Sequence, residues 1–444
     1  MVVTSSYAVE VIHINKMFKD TIKYYRNAIA YLIDIYNKEW DYLYDIKDNL
    51  ERKTAAEKLI HNTKDNKAKY LDFDKNYYKF PSYLRRAAIA EALGSVSSYH
   101  SNLNNWIKNN KEGKEPKLAF NRNKMPVFYN KEMYKEIEDE PYKAHLKLFK
   151  DNDWKWVEVK LLPTDVKYIN KYWNTSKASA PVLEKHYGKY CLRFAFEEKV
   201  DLSSNEIEDQ TICSVDLGIN SDAVCSIMNS TGTVLARKFI NFPSEKDQID
   251  HIVNRIKKHQ REYSNNSVRN LWTYAKRLNT EHANDVAAAI VKFAAANKVD
   301  CIVFEYLDMQ GRKHGNKKQK LTLWRKNTIQ NTVTHKAHRL GIHVSHICAW
   351  GTSKLAFDGS GEVQRDTNNY SLCTFTNGKQ YNCDLSASYN IGSRYFIREL
   401  LKPLSATKRS LIQAKVPELE RRTLNTLSTL LLLNKELNSS LKTA

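Results

Sequence analysis

The apolar positions of this chain change period several times, and each change marks an element. Near the start, VEVIHINK alternates apolar and polar residues as a strand does. From Phe18 onward, YYRNAIAYLIDIYNKEWDYLYDI returns an apolar residue every three or four positions, which predicts a helix. A second helix is predicted in PSYLRRAAIAEALGSVSSYHSNLNNWIK, with Ser82 as N-cap after Pro81 and a stripe through Leu84, Ile89, Leu93, Val96, Leu103 and Trp106. Between them, KDNKAKYLDFDKNYYKF interleaves Lys with Tyr and Phe, a mixture that suits base stacking beside phosphate contacts and equally suits an amphipathic loop. From about Pro116 to Asp201 the period falls to two. HLKLFKD, DWKWVEVKLLP, APVLEK and KYCLRFAFEEKV read as strands, the last two joined by a turn at HYG. The simplest arrangement is a β domain whose first strand, near Val9, is separated from the others by a helical insertion.

After a polar linker, DLSSNEIEDQ, the run TICSVDLGINSDAVCSIMNSTGTVLARKFINF predicts three strands joined by short turns. Basic helices follow in IVNRIKKHQREYSNNSVRNLWTYAKRL. Next come HANDVAAAIVKFAAANK, the buried-type strand CIVFEYL, the helix TLWRKNTIQNTVTHKAHRLG and the strand IHVSHICAW. The tail TLNTLSTLLLLNKELNSSL is Leu-rich and predicted helical. A three-strand meander followed by alternating helices and strands is the order of a ribonuclease H-like α/β core.

Composition narrows the partners. A chain of 444 residues exceeds one ordinary core and suggests about two to four domains. Its 70 Lys and Arg against 50 Asp and Glu leave a formal charge of +20, which points to a polyanion, because clustered cations gain affinity by releasing counterions from phosphates. No apolar run reaches the roughly 20 residues of a bilayer span, and MVVTSSYAVEVIHINK has no signal-peptide core, so the expectation is a cytoplasmic protein with no membrane partner. The seven cysteines (Cys191, Cys213, Cys225, Cys301, Cys348, Cys373 and Cys383) are odd in number and sit mostly in strand-like runs, which fits reduced core thiols.

Three acids stand where a carboxylate is costly without a partner. Asp216 closes the apolar run of ICSVDLGI, Glu305 lies inside CIVFEYL, and Asp384 begins the helix predicted in YNCDLSASYNIG. A buried, unpaired carboxylate either costs several kcal/mol or takes up a proton. Convergence on Mg²⁺ would remove the conflict, and two such cations about 4 Å apart can activate water and stabilise the leaving oxygen in phosphodiester cleavage. Each acid alone also has an ordinary reading: a turn residue, half of a buried ion pair, and a helix cap.

VDLGIN, VFEYL and CDLSASYNIG resemble, in that order, the three acidic motifs of the RuvC-type nuclease in the TnpB and miniature type V CRISPR effector family. The resemblance extends through HANDVAAAIVKFAAANKVDCIVFEYLDM and THKAHRLGIHVSHICAWGTSK; the first 200 residues resemble the family by order and texture alone. It implies a multidomain α+β fold. A β-barrel-like wedge domain (1–17 and 109–202) would be interrupted by a helical recognition lobe (18–108). A RuvC nuclease domain (203–347 and 384–444) would follow, carrying a small target-nucleic-acid-binding insertion (348–383). It also implies an RNA-guided DNA endonuclease in which Asp216, Glu305 and Asp384 hold Mg²⁺ or Mn²⁺ and Arg365, in EVQRDTNNY, stands near the cleaved phosphate. The implied partners are a guide RNA, from a CRISPR array or a transposon end, and double-stranded target DNA read through a short flanking motif. The family includes monomers and homodimers on one guide. The basic helices and KHGNKKQK would contact nucleic-acid backbones.

The resemblance breaks in the insertion, where family members carry two Cys-x-x-Cys pairs. TSKLAFDGSG keeps the Thr-Ser step that precedes the first pair but has Ala356 and Gly359 in its place. SLCTFTNGKQYNC keeps Cys373, has Thr376 where its partner is expected, and displaces Cys383 to a position beside the acid. Tetrahedral zinc requires four Cys or His ligands, a set that Cys348, Cys373, Cys383 and His346 would supply only irregularly. The expectation is an insertion held by turns and packing. Two other activities share this pattern of residues: a guide-dependent DNA-binding repressor that does not cut, and a ribonuclease H-like transposase that joins DNA.

Overall fold

The period-two segments of the first 200 residues assemble into a single sheet. The structure, a computed structural model, describes residues 1–12, 16–120, 123–129, 131–173, 178–186, 188–262, 268–306, 323–366, 369 and 371–442. They divide into two units, Thr4–Glu198 and Met1–Val3 with Lys199–Ala444. The basic KHGNKKQK run lies outside the described residues.

In the first unit, strand β1 (Val2–Ile12) leads into helices α1 (Lys16–Lys38), α2 (Trp40–Asp45), α3 (Asn49–Ile60), α4 (Asp72–Asn76) and α5 (Ser82–Lys108). Strands β2 (Tyr134–Glu136), β3 (Lys143–Lys150) and β4 (Asp153–Leu161), helix α6 (Pro163–Trp173), and strands β5 (Val182–His186) and β6 (Lys189–Lys199) follow. The ladder order is β2-β3-β4-β1-β6-β5, so β1 lies between β4 and β6 and the helices α1 to α5 are an excursion between two neighbouring parts of one sheet. Helix α1 turns a stripe of Phe18, Ile22, Tyr25, Ile29, Leu32 and Tyr36 into the core. It is pinned to β3 where the Phe149 amide donates to the Thr21 hydroxyl at 2.9 Å and Tyr24 stacks on Phe149 at 3.9 Å.

Two expectations change here. Among the described residues the sheet does not close into a barrel: its ladder ends at β2 and β5. Closure is replaced by the irregular segment 126–128, which meets β5 in an isolated bridge, with Phe128 N donating to Pro181 O and Leu183 N to Pro126 O. Nor is Ser82 the N-cap of α5. Arg85 N already bonds to Pro81 O, so the helix starts one residue earlier and Pro81 takes the cap position with extended backbone.

The second unit is built on strands β7 (Thr211–Leu217), β8 (Ala223–Asn229) and β9 (Val234–Ile240), helices α7 (Pro243–Glu262) and α8 (Val268–Ala296), strand β10 (Cys301–Tyr306), helix α9 (Lys326–Arg339) and strand β11 (His343–Cys348). The sheet order is β11-β10-β7-β8-β9, with β7, β10 and β11 parallel and β8 antiparallel to both of its neighbours. A small antiparallel sheet of β12 (Gln364–Arg365), β13 (Leu372–Thr374) and β14 (Gln380–Asn382) precedes helices α10 (Cys383–Leu401), α11 (Ala406–Lys415) and α12 (Leu427–Lys442). Because successive strand residues face opposite sides, the sheet sorts its side chains by parity. Cys213, Val215, Ile302 and Phe304 pack with α8 and α9, whereas Ile212, Cys301 and Val303 pack with α10 and α12.

The candidate active site

Parity and register place the first two acids. Asp216 continues the Ile212 set on β7 and Glu305 continues the Cys301 set on β10, so both carboxylates project toward the face that α10 covers. The strands are parallel, with Phe304 opposite Val215, which brings Glu305 level with Asp216 at their carboxyl ends. That end of a parallel sheet is where α/β folds bind ligands.

The third acid comes from α10, and its placement differs from a cap. Asn382 caps the helix, its side-chain oxygen accepting from Leu385 N at 2.9 Å, and Asp384 is the second helical residue. The capping requirement is met by its neighbour, so the Asp384 carboxylate is not committed to it. Helix α10 is buried on nearly all sides and runs close over the sheet. Ser388 hydrogen-bonds Ser226, and a Cβ added to Gly392 would stand 2.7 Å from Met228 Sδ and 3.2 Å from Ser214 Cβ. This close approach is what carries the helix start over the ends of β7 and β10.

Asp216 senses the other two acids. Asp216, half-buried, has its carboxyl pushed well above the usual carboxylate range by burial and then by the charges of Glu305 and Asp384, with Arg365 acting in the opposite direction. Asp384 is raised by burial and partly relieved by Arg365. Glu305, 8% exposed, is raised by burial and relieved by a hydrogen bond from the Thr352 hydroxyl to its Oε1 and by the charge of Arg394. Arg365 lies on β12 with its guanidinium exposed, 3.5 Å from Ser353 O. The structure therefore brings Asp216, Glu305, Asp384 and Arg365 into one electrostatic neighbourhood. Among the described residues, no group of three or more His, Cys, Asp and Glu side chains is gathered tightly enough to hold a metal ion as it stands.

Two of the cysteines pack at the β12-β13-β14 sheet. Cys373 and Cys383 are 1% exposed and share an apolar cluster with Ala356 and Phe375, flanked by Phe357, Val363 and Tyr381. Burial and the adjacent Cys383 thiol push Cys373 up to about 12. Gly359, at φ +79°, turns the chain against Ser428, whose Cβ would lie 3.0 Å from an added side chain. Cys348, by contrast, is exposed at the end of β11.

Sequence reasoning missed the supports of the site. Arg394, 5% exposed, donates to four carbonyls: Cys348 and Trp350 at 2.8 Å, Thr423 at 2.8 Å and Asn425 at 3.0 Å. Fully buried Asn390 donates to Thr352 O and Leu355 O and accepts from Leu427 N. The one local clue is that SASYNIGSRYF carries polar residues on every side of a helix, which only a helix enclosed by polar backbone can afford.

Residues 4–150 match the Aq_aa04 family. No curated protein matches the sequence. Among solved structures, the chain is similar to Cas12f1, seen in complex with sgRNA and target DNA, at a TM-score of 0.51 and 17% identity over 84% of this chain and 82% of that one. It is also similar to the mini-RNA-guided endonuclease CRISPR-Cas_phi3, at a TM-score of 0.52 and 10% identity over 88% of this chain and 92% of that one. Among the described residues no helix is long and apolar enough to cross a membrane. The fold of this chain is that of the compact CRISPR effectors, in agreement with the family resemblance its acidic motifs carry.

Proposed function

We propose that this protein is an RNA-guided DNA endonuclease of the miniature type V and TnpB kind, with one RuvC-type site formed by Asp216, Glu305 and Asp384. The observation that carries the reading is the parallel register that sets Glu305 of β10 level with Asp216 at the carboxyl end of β7, where burial, and then the charges of Glu305 and Asp384, raise the Asp216 carboxyl. Such a cluster is unfavourable by itself and favourable around a hard cation. The donor set, carboxylate oxygens with an arginine beside them, suits Mg²⁺ or Mn²⁺ better than zinc. When bound, the metal would polarise the phosphodiester and lower the pKa of an attacking water.

The chain's own residues divide the remaining work. Asp216, whose carboxyl is raised by burial and by the charges of Glu305 and Asp384, would hold the metal together with them, and the Thr352 hydrogen bond and the Arg394 charge support the Glu305 side. Arg365, whose positive charge acts on both Asp216 and Asp384, is positioned to neutralise a phosphate oxygen during cleavage. Cys373 and Cys383 serve as packing thiols. Guide RNA and double-stranded DNA are the partners, with the charge of +20 supplying the sequence-independent part of their affinity.

Sequencing the RNA that copurifies with the protein, followed by cleavage assays with that guide and a matched target, tests the reading. A discrete RNA and Mg²⁺-dependent cuts that Asp216→Ala, Glu305→Ala and Asp384→Ala each abolish are expected. Guide-dependent binding without any cut by the wild type would make the protein a repressor. Random or absent RNA would remove the guided reading altogether.

A further inference from the structure

The first unit holds a groove of about 610 Å³ that the candidate active site does not use. Its apolar floor comes from half-buried Ala30 of α1 and Met125, backed by the buried Ile22, Ile29 and Ile33 of α1 and Tyr190 of β6. Its rim carries Lys19, Lys23 and Arg26 of α1 and Lys185 of β5, and among the described residues no carboxylate lines it. Phe120, 44% exposed, stands on the rim, in the segment between α5 and β2. Burial holds the Arg26 guanidinium below its ordinary range, while its Nε donates to Lys124 O at 2.8 Å and so fixes its direction.

Four cations gathered with no acid among them repel one another, so the groove favours an anionic occupant. An apolar floor with an exposed aromatic at its lip has a different preference, for a flat, weakly polar group. A nucleotide satisfies both, its base against the floor and Phe120 and its phosphates among the lysines, and a groove of this volume is in the range that accepts one. A duplex presents its bases only as edges, whereas an unpaired nucleotide can offer a whole face.

We propose that this groove binds an unpaired nucleotide of a single strand, the base resting on the floor of Ala30 and Met125 against Phe120 and the flanking phosphates held by Lys19, Lys23, Arg26 and Lys185. The proposal rests on the nucleic-acid reading above and adds to it a site on the first unit.

Fluorescence anisotropy of the full-length protein with a labelled twelve-nucleotide single strand, as RNA and as DNA of the same sequence, tests it across a salt series. Each phosphate contact contributes about 0.7 to the salt slope for single strands, so Lys19→Ala/Lys23→Ala/Lys185→Ala is expected to lower the slope by about 2. Phe120→Ala is expected to weaken binding several-fold with the slope unchanged, and to have no effect on a strand made abasic throughout. The substituted side chains are exposed, so thermal melting should match the wild type and exclude misfolding. The RNA and DNA arms identify which strand the groove prefers. Wild-type binding with unaltered affinity and slope in both variants would overturn the groove while leaving the nucleic-acid reading intact. Failure of the wild type to bind either strand at low salt would overturn both.

Discussion

The Thr352 hydroxyl, in the loop that follows β11, donates a hydrogen bond to Oε1 of Glu305 on the adjacent strand β10. Partners of this kind set the direction of a metal-binding carboxylate, and their loss typically costs about 10–100-fold in metal affinity or activity. Thr352→Val should raise the Mg²⁺ concentration needed for half-maximal cleavage by that order, while Thr352→Ser should stay near wild type. A Mg²⁺ titration of both variants under one guide and target checks this.

Asp216 makes stability depend on pH in a defined direction. Its folded carboxyl is raised by burial and by Glu305 and Asp384, so between the ordinary carboxylate range and that raised value the native state holds a proton that the unfolded chain has released. Stability therefore falls as pH rises through this window, and the penalty persists at neutral pH. In metal-free buffer, Asp216→Asn should melt higher than wild type at pH 7, and the gap should shrink as pH falls toward about 4. Adding Mg²⁺ should raise the melting temperature of the wild type more than that of the variant. Scanning calorimetry over a pH series, with and without Mg²⁺, measures both effects.

Asn382 and Asp384 separate stability from activity within one helix turn. Asn382→Ala removes the cap bond to Leu385 N and should cost about 1 kcal/mol. Asp384→Ala should cost less in stability, since the carboxylate does not cap, yet abolish cleavage. Urea denaturation paired with the cleavage assay distinguishes the two.

Arg394 is a structural cation whose removal leaves four carbonyls without a donor. Breaking such a buried network costs about 3–5 kcal/mol. Arg394→Met should lower the urea midpoint accordingly, and Arg394→Lys should recover part of the loss because an ammonium cannot reproduce the planar spread of donors.

Thiol accessibility offers a check on the insertion. Cys348 is exposed, whereas Cys373 and Cys383 are buried and the Cys373 thiol is pushed up to about 12. Iodoacetamide at pH 8 should label Cys348 in the native protein and reach the other two only after unfolding, as read by peptide mass spectrometry.

Much of this architecture was legible because its periods are clean. The alternation of DWKWVEVKLLP and the helical stripe of α1 leave few alternatives, and a lone acid ending the apolar run ICSVDLGI already indicates a strand end. What was not legible depends on distant partners. Asn382 and Asp384 are both good caps by residue type, and only the bond to Leu385 N tells which one serves. Arg394 draws its partners from Cys348, Trp350, Thr423 and Asn425, a set no local spacing announces. The open sheet of the first unit follows from a single bridge at Val127 in place of a full strand.

The small β12-β13-β14 sheet enters and leaves the second unit beside the acids. Thr352 precedes it by twelve residues, Arg365 lies on its first strand, and Asp384 follows its last strand by two residues. Loop grafting between relatives usually assumes that such an insertion can be exchanged as a cassette. In this chain the graft boundaries would fall among the candidate site's own residues, so a transplanted segment would bring part of that site with it and would have to be chosen for its ends before its middle.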